Sequence, residues 1–166
     1  MKKTIIAFFL IYCSLNSLCQ NEIKAASMVF RYELFEDSIY CFLSAPTKGW
    51  IMVGFNSINS TENADFKFFS VRKGKCLAED RINIGGRNYP LDDFNNGQQN
   101  INVNYGKEKN NTTLVSFNLP LRTRDHNDFQ HQFDKPFYLI LSYSQEDDFQ
   151  HHSIFRKHII HKWIKP

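Results

Sequence analysis

Along most of the chain, apolar and polar residues alternate with a period of two. Phe30, Tyr32 and Leu34 alternate with Arg31 and Glu33; after the turn-like Glu36-Asp37, Ile39, Cys41 and Leu43 form a second run. Successive side chains on a strand point to opposite faces, so this period predicts half-buried strands. Trp50, Met52 and Gly54 fall on one face of the next run, and Ile51, Val53 and Phe55 on the other. Both faces are apolar, which predicts a central strand covered on both sides. Residues 66–71 follow. At residues 99–105, Ile101, Val103 and Tyr105 alternate with Asn100, Asn102 and Asn104, the pattern of a strand with one dry face and one wet. Runs at 114–119, 137–143 and 153–163 follow, and about nine or ten strands are expected in all.

No window beyond the N-terminal stretch carries the i, i+3, i+4, i+7 stripe of an amphipathic helix. Lys73-Gly74, Gly85-Gly86, Asn95-Asn96-Gly97 and Lys109-Asn110-Asn111 supply turn chemistry between the runs. Many short strands at this spacing predict an all-β, antiparallel sandwich or barrel. Two polar loops, 56–63 and 122–135, are long enough to carry binding residues.

The first 19 residues read differently. Met1-Lys2-Lys3 precedes an apolar run ending at Ser17-Leu18-Cys19, the pattern of a cleaved secretory signal peptide of bacterial character. The run is too short for a membrane span. Residues 20–166 then form one domain, secreted or periplasmic, large enough to bury a core. With 42% hydrophobic and 15% aromatic residues, disorder is excluded. The chain has 20 basic and 17 acidic residues, and Lys2 and Lys3 leave with the signal. That balance provides no basic stripe for phosphates, so nucleic acid is excluded as a partner. Leu18, before Cys19, does not suit a lipoprotein signal.

Processing leaves two cysteines, Cys41 and Cys76. An exported pair is compatible with a disulfide stabilising the fold by about 4 kcal/mol, and equally with a buried thiol at Cys41. Motifs for a nucleophilic serine, a zinc protease, a phosphate loop or paired C-x-x-C are missing, which argues against an enzyme. The acidic groups at 125–128 and 146–148 lack EF-hand spacing and read as solvated loop, with Arg156 a surface ion-pair partner for the second. Asp65, Asp92 and Asp93 are candidate oxygen ligands for a calcium-like divalent ion, or surface turn carboxylates. All six histidines lie in the last 41 residues. His151 and His152 are adjacent, so on a strand only one of them can serve a given site.

Gly49-Trp50-Ile51-Met52-Val53-Gly54-Phe55-Asn56 resembles the G-W-x-x-x-G-F-S strand of DOMON domains, the family named after the N-terminal domain of dopamine beta-monooxygenase. Further segments resemble the family in order. They are Ala64-Asp65, Tyr89-Pro90-Leu91-Asp92-Asp93, the stretch 117–125 with Asp128 beyond it, the strand at 137–143, and His152 followed by Phe155-Arg156-Lys157. The resemblance runs from about residue 28 to 163.

It implies an immunoglobulin-like β-sandwich of about ten strands and an extracytoplasmic module that binds haem or sugar, or meets a partner protein. Family members that bind haem use a methionine from the loop after the G-W strand and a histidine near the C-terminal end. The histidine carries over to His152, with His151 as the register alternative. The methionine does not: Glu62 stands two residues before Ala64, and the loop holds no methionine. A carboxylate is hard where a thioether is soft, so a Met/His cytochrome is not what the loop predicts. Met52 and Trp50, on one face of the G-W strand, complete the candidate ligand contacts, each also readable as core. The expectation is an exported, non-catalytic binding module for haem b, a sugar or a partner protein. The alternative is a b-type cytochrome-like electron-transfer protein using His152.

Overall fold

Where turn residues interrupt the alternation, the chain reverses. Lys73-Gly74 and Asn110-Asn111 all adopt positive φ, the backbone that matches the twist of a tight two-residue hairpin. The computed structural model describes residues 21–86 and 88–164, so the expected signal peptide lies outside the described residues. The strands are β1 (Asn21–Ala25), β2 (Met28–Leu34), β3 (Ser38–Ala45), β4 (Ile51–Asn56), β5 (Asp65–Arg72), β6 (Lys75–Ile82), β7 (Asn102–Lys109), β8 (Thr112–Pro120), β9 (Phe137–Tyr143) and β10 (Phe155–His161), with a short 3-10 turn at Asp92–Asn95.

All pairings between the strands are antiparallel. They form a front sheet ordered β1-β2-β3-β8-β7 and a back sheet ordered β10-β9-β4-β5-β6. The result is an antiparallel sandwich, one of the two forms that the alternation predicts, and the immunoglobulin-like one of ten strands that the DOMON resemblance implies. No helix among the described residues is long and apolar enough to cross a membrane.

The core lies between the sheets. Phe30 and Tyr32 of β2, Ile39 and Leu43 of β3, Ile51, Val53 and Phe55 of β4, Phe69 of β5, Phe117 of β8 and Leu139 and Leu141 of β9 have no measurable exposure. Each such large side chain contributes about 1.5–3 kcal/mol on burial. The seam near β10 is closed by Trp163 and by Tyr32, whose hydroxyl meets His161 Nε2 at 2.9 Å and accepts from the Ile164 amide at 3.2 Å. β4 sits in the middle of the back sheet and every residue of it is buried, as its two apolar faces predict.

The structure departs from the sequence reading along β7, at residues 125–128 and at Arg156, and it decides between the two readings left open for the cysteines. On β7 a register shift between Val103 and Tyr105 breaks the expected dry face and leaves Tyr105 half exposed; an extra residue opposite one partner turns the following side chains over. Cys41 and Cys76 are not joined. Cys41 is fully buried among the inward residues of β3, and Cys76 packs against Gly106. Burial pushes both thiols up, Cys76 to about 11. Asp125, Asn127 and Asp128, expected in a solvated loop, are buried. Arg156 reaches Ser153 Oγ rather than the acidic loop, whose Asp147 pairs with Arg72 at 3.6 Å.

Candidate functional site

The outer face of a sandwich sheet ordinarily meets water, but the outer face of the back sheet does not. Trp50 just before β4, Met52 of β4, Phe66 and Phe68 of β5 and Ile140 of β9 form a second apolar cluster there, with Ala64 beside them and Tyr89 and Phe149 packed against it. Strand register explains the assembly. Met52 pairs with Phe68 on one side and Ser142 on the other, and Gly54 pairs with Phe66 and Ile140. Period-two alternation then places these side chains together on one face.

Above this floor is a hollow of about 680 Å³, within the roughly 300–1,000 Å³ of small-molecule sites. Trp50, Met52 and His152 all line it. Met52 is 1% exposed and Trp50 2%. The Trp50 ring meets Phe68 edge-on at 5.1 Å, and its Nε1 is buried with no hydrogen-bond partner among the described residues.

Two walls stand over opposite ends of β4. At the Trp50 end, the Ser144 amide donates to the Trp50 carbonyl at 3.0 Å, and Ser144 Oγ donates to the His152 carbonyl at 3.0 Å. This fixes the backbone at His152, whose side chain is exposed on the rim. His151 lines the hollow as well, with its Nδ1 3.7 Å from Asp148. At the Asn56 end, Thr61 is the residue of the 56–63 loop that lines the hollow. Its carbonyl accepts from Asn83 Nδ2 at 2.6 Å and from the Ala64 amide at 3.2 Å. Glu62 is exposed and does not line the hollow. Arg81 braces the floor: its Nη1 donates to the Tyr89 carbonyl at 2.6 Å, it pairs with Glu79, and it lies over the Phe68 and Phe149 rings at 5.9 and 6.0 Å.

The three aspartates expected to hold a divalent ion are not grouped. Asp65 faces Lys67, two residues along the same face of β5, with Nζ to Oδ1 2.7 Å. Lys67 Nζ also meets Asp80 Oδ1 at 2.5 Å and Asp128 Oδ1 at 3.1 Å. Among the described residues, Asp65, Asp80 and Asp128 are the acidic group spaced for a cation, and the Lys67 ammonium takes that role. Burial opposes the charge on Lys67, but the carboxylates outweigh it and raise its pKa. Burial pushes Asp80 up to about 8 against the pull of Lys67, and pushes Asp65 up in the same way. Asp92 is buried in the 3-10 turn, raised to about 7 by burial and by Asp125, while Asp93 is exposed.

A second hollow, of about 560 Å³, opens between the 56–63 and 126–137 segments. Several of its amides are already spent within the fold: Asn56 Nδ2 donates to the Ser60 and Glu62 carbonyls, and Gln130 Nε2 to those of Asp125 and Asp128. Asn56, His126 and Asp128 lie there, but none of Trp50, Met52, His152, Asp65, Asp92 and Asp93 does.

Phe66, Phe68, Tyr89, Phe149 and Thr61 were not anticipated as site residues. The two phenylalanines were within reach of the alternation, because they flank Lys67 on a strand next to Trp50 and Met52. The other three come from loops, where no periodicity marks a direction.

No curated protein matches the sequence. The fold is similar to the cytochrome domain of cellobiose dehydrogenase from Myriococcum thermophilum, with a TM-score of 0.60 and 9% identity, covering 77% of this chain and 69% of that one. It is also similar to the cytochrome b domain of pyranose dehydrogenase from Coprinopsis cinerea, with a TM-score of 0.54 and 8% identity, covering 80% and 76%. At such identities the likeness is one of fold. The sequence itself matches the DOMON domain family over residues 24–144, most of the sandwich, and the chain therefore belongs to that family.

Proposed function

We propose that this DOMON domain is an exported, non-catalytic ligand-binding module, that its ligand seat is the hollow on the back sheet, and that the ligand is haem b. One observation carries the reading: Trp50 and Met52, neighbours on one face of a strand, and His152, far from them in the sequence, line one hollow whose floor is a buried aromatic cluster on a face that would otherwise be wet. Its chemistry suits a porphyrin. Trp50, Phe66, Phe68 and Phe149 offer apolar ring surface, His152 offers an imidazole nitrogen at the rim, and Arg156 offers a cation for a carboxylate. The unpartnered Trp50 Nε1 is a donor that a ligand acceptor can satisfy after a small shift of the ring.

Haem, when bound, supplies a redox-active iron. The residues of this chain bind it, orient it and exclude water from its inner edge. The likeness in fold to two cytochrome domains supports haem over sugar, which would use the same aromatic floor for stacking. Electron transfer to an extracytoplasmic partner protein is the finer form of this reading.

Titration of the purified protein with hemin tests it. A saturable Soret band with one haem per chain is expected, and His152→Ala should weaken binding about tenfold or more while the protein stays folded. No Soret band from folded wild type, with a sugar shifting its thermal unfolding instead, would overturn the haem assignment.

A further inference from the structure

Resting on the haem reading above, we infer that this hollow holds haem iron from one side only, through His152, and leaves the other face open to a small exogenous ligand. The observation is the distribution of donor atoms over the two walls. His152, held at the Trp50 end of β4 through Ser144, offers an imidazole, and its neighbour His151 offers another on the same wall. The opposite wall, at the Asn56 end, offers Thr61, Asn88 and Tyr89, which carry oxygen and amide groups but no thioether or imidazole.

The sulfur in the hollow belongs to Met52, which stands on neither wall. It lies in the floor, 1% exposed, paired with Phe68 and clustered with Trp50, Phe66 and Ile140. A group packed in this way is held by the apolar contacts of its neighbours, and the cluster would have to open for its sulfur to reach iron. Thr61 is half-buried and its hydroxyl is a weak, hard donor that does not compete for haem iron. A site whose imidazoles, His151 and its neighbour His152, both belong to one wall leaves an exchangeable position on the other side, and the chemical class it admits is a small neutral or anionic molecule such as carbon monoxide, nitric oxide or cyanide. The function that follows is capture or sensing of such a molecule rather than passage of electrons alone.

The test uses hemin-loaded wild-type protein and its Thr61→Met variant, read by electronic absorption and electron paramagnetic resonance, with carbon monoxide added to the dithionite-reduced forms. The expected result is a high-spin ferric signal in wild type and stoichiometric uptake of carbon monoxide with a shifted Soret band. Thr61→Met supplies the missing thioether on the open wall, so it should turn low-spin and take up carbon monoxide about tenfold more weakly. A wild-type protein that binds hemin but is low-spin and refuses carbon monoxide overturns the one-sided site and leaves the haem reading standing. Folded protein that takes up no hemin overturns both.

Discussion

Gly54 on β4 and Phe66 on β5 are directly paired, and the Phe66 ring fills the volume that a side chain on Gly54 would need. The glycine is thus part of the floor of the hollow: its missing Cβ lets an aromatic ring lie down over the strand. Gly54→Ala should displace that ring and cost about 1–3 kcal/mol of stability, as overpacking does. Urea unfolding measures the cost, and hemin affinity should fall with it. A variant that keeps both values would mean that Phe66 can move aside freely and that the floor is not rigid.

Lys67 is the counter-charge of three buried carboxylates. Lys67→Ala leaves Asp65, Asp80 and Asp128 without a cation, which should cost roughly 3–5 kcal/mol at neutral pH. The carboxylates, already pushed upward by burial, then rise further. The folded variant holds protons that the unfolded chain releases, so its deficit should shrink as pH falls towards 5. Equal deficits at pH 7 and pH 5 would show that the cluster is not charged as drawn.

His131 lies among Phe55, Phe129 and Trp163, with ring centroids 4.9, 5.2 and 5.3 Å away, and its Nδ1 is buried without a hydrogen-bond partner among the described residues. Burial first, and the charge of Lys67 second, hold its pKa down at about 3, with Asp128 pulling the other way. The folded state therefore binds fewer protons than the unfolded chain below the ordinary value near 6.5. The contribution of His131 to stability is present above that value and is lost as pH falls towards 3. His131→Phe, which suits the same aromatic surroundings, should lose about 1–3 kcal/mol less than wild type between pH 7 and pH 4. Parallel pH profiles for the two proteins would refute the assignment.

Tyr32 ties the C-terminal end of the described chain to the front sheet through its hydroxyl, shared by His161 and the Ile164 amide. Tyr32→Phe keeps the ring packing against Trp163 and removes only that oxygen. A loss of about 1–2 kcal/mol is expected, with faster hydrogen exchange at the Ile164 amide. Unchanged exchange there would mean that water replaces the hydroxyl.

Much of the fold was legible because strand alternation is a local signal. The runs at β2, β3, β4, β5, β8, β9 and β10 carry it clearly, and β4 announced its central place by being apolar on both faces. β1 and β6 escaped, because Asn-Glu-Ile-Lys-Ala and Lys-Cys-Leu-Ala-Glu-Asp-Arg-Ile are edge strands whose exposed positions dilute the pattern. The bulge in β7 escaped for a different reason: a one-residue slip against β8 is set by the partner strand, not by the residues of β7.

The sequence by itself determined the class of fold, the order of the strands along the chain and the kinship with DOMON domains, since each rests on residues close together or on motifs kept in order. It also pointed to Trp50 and Met52 on one strand face and, separately, to His152. Only the tertiary structure decided that these three meet in one hollow, that Thr61 rather than Glu62 faces it, and that the aspartates gather around Lys67 instead of an ion. Those outcomes depend on how strands distant in sequence register against one another and on where loops close over a sheet. Such long-range pairings follow from packing the whole chain at once, and no local pattern encodes them.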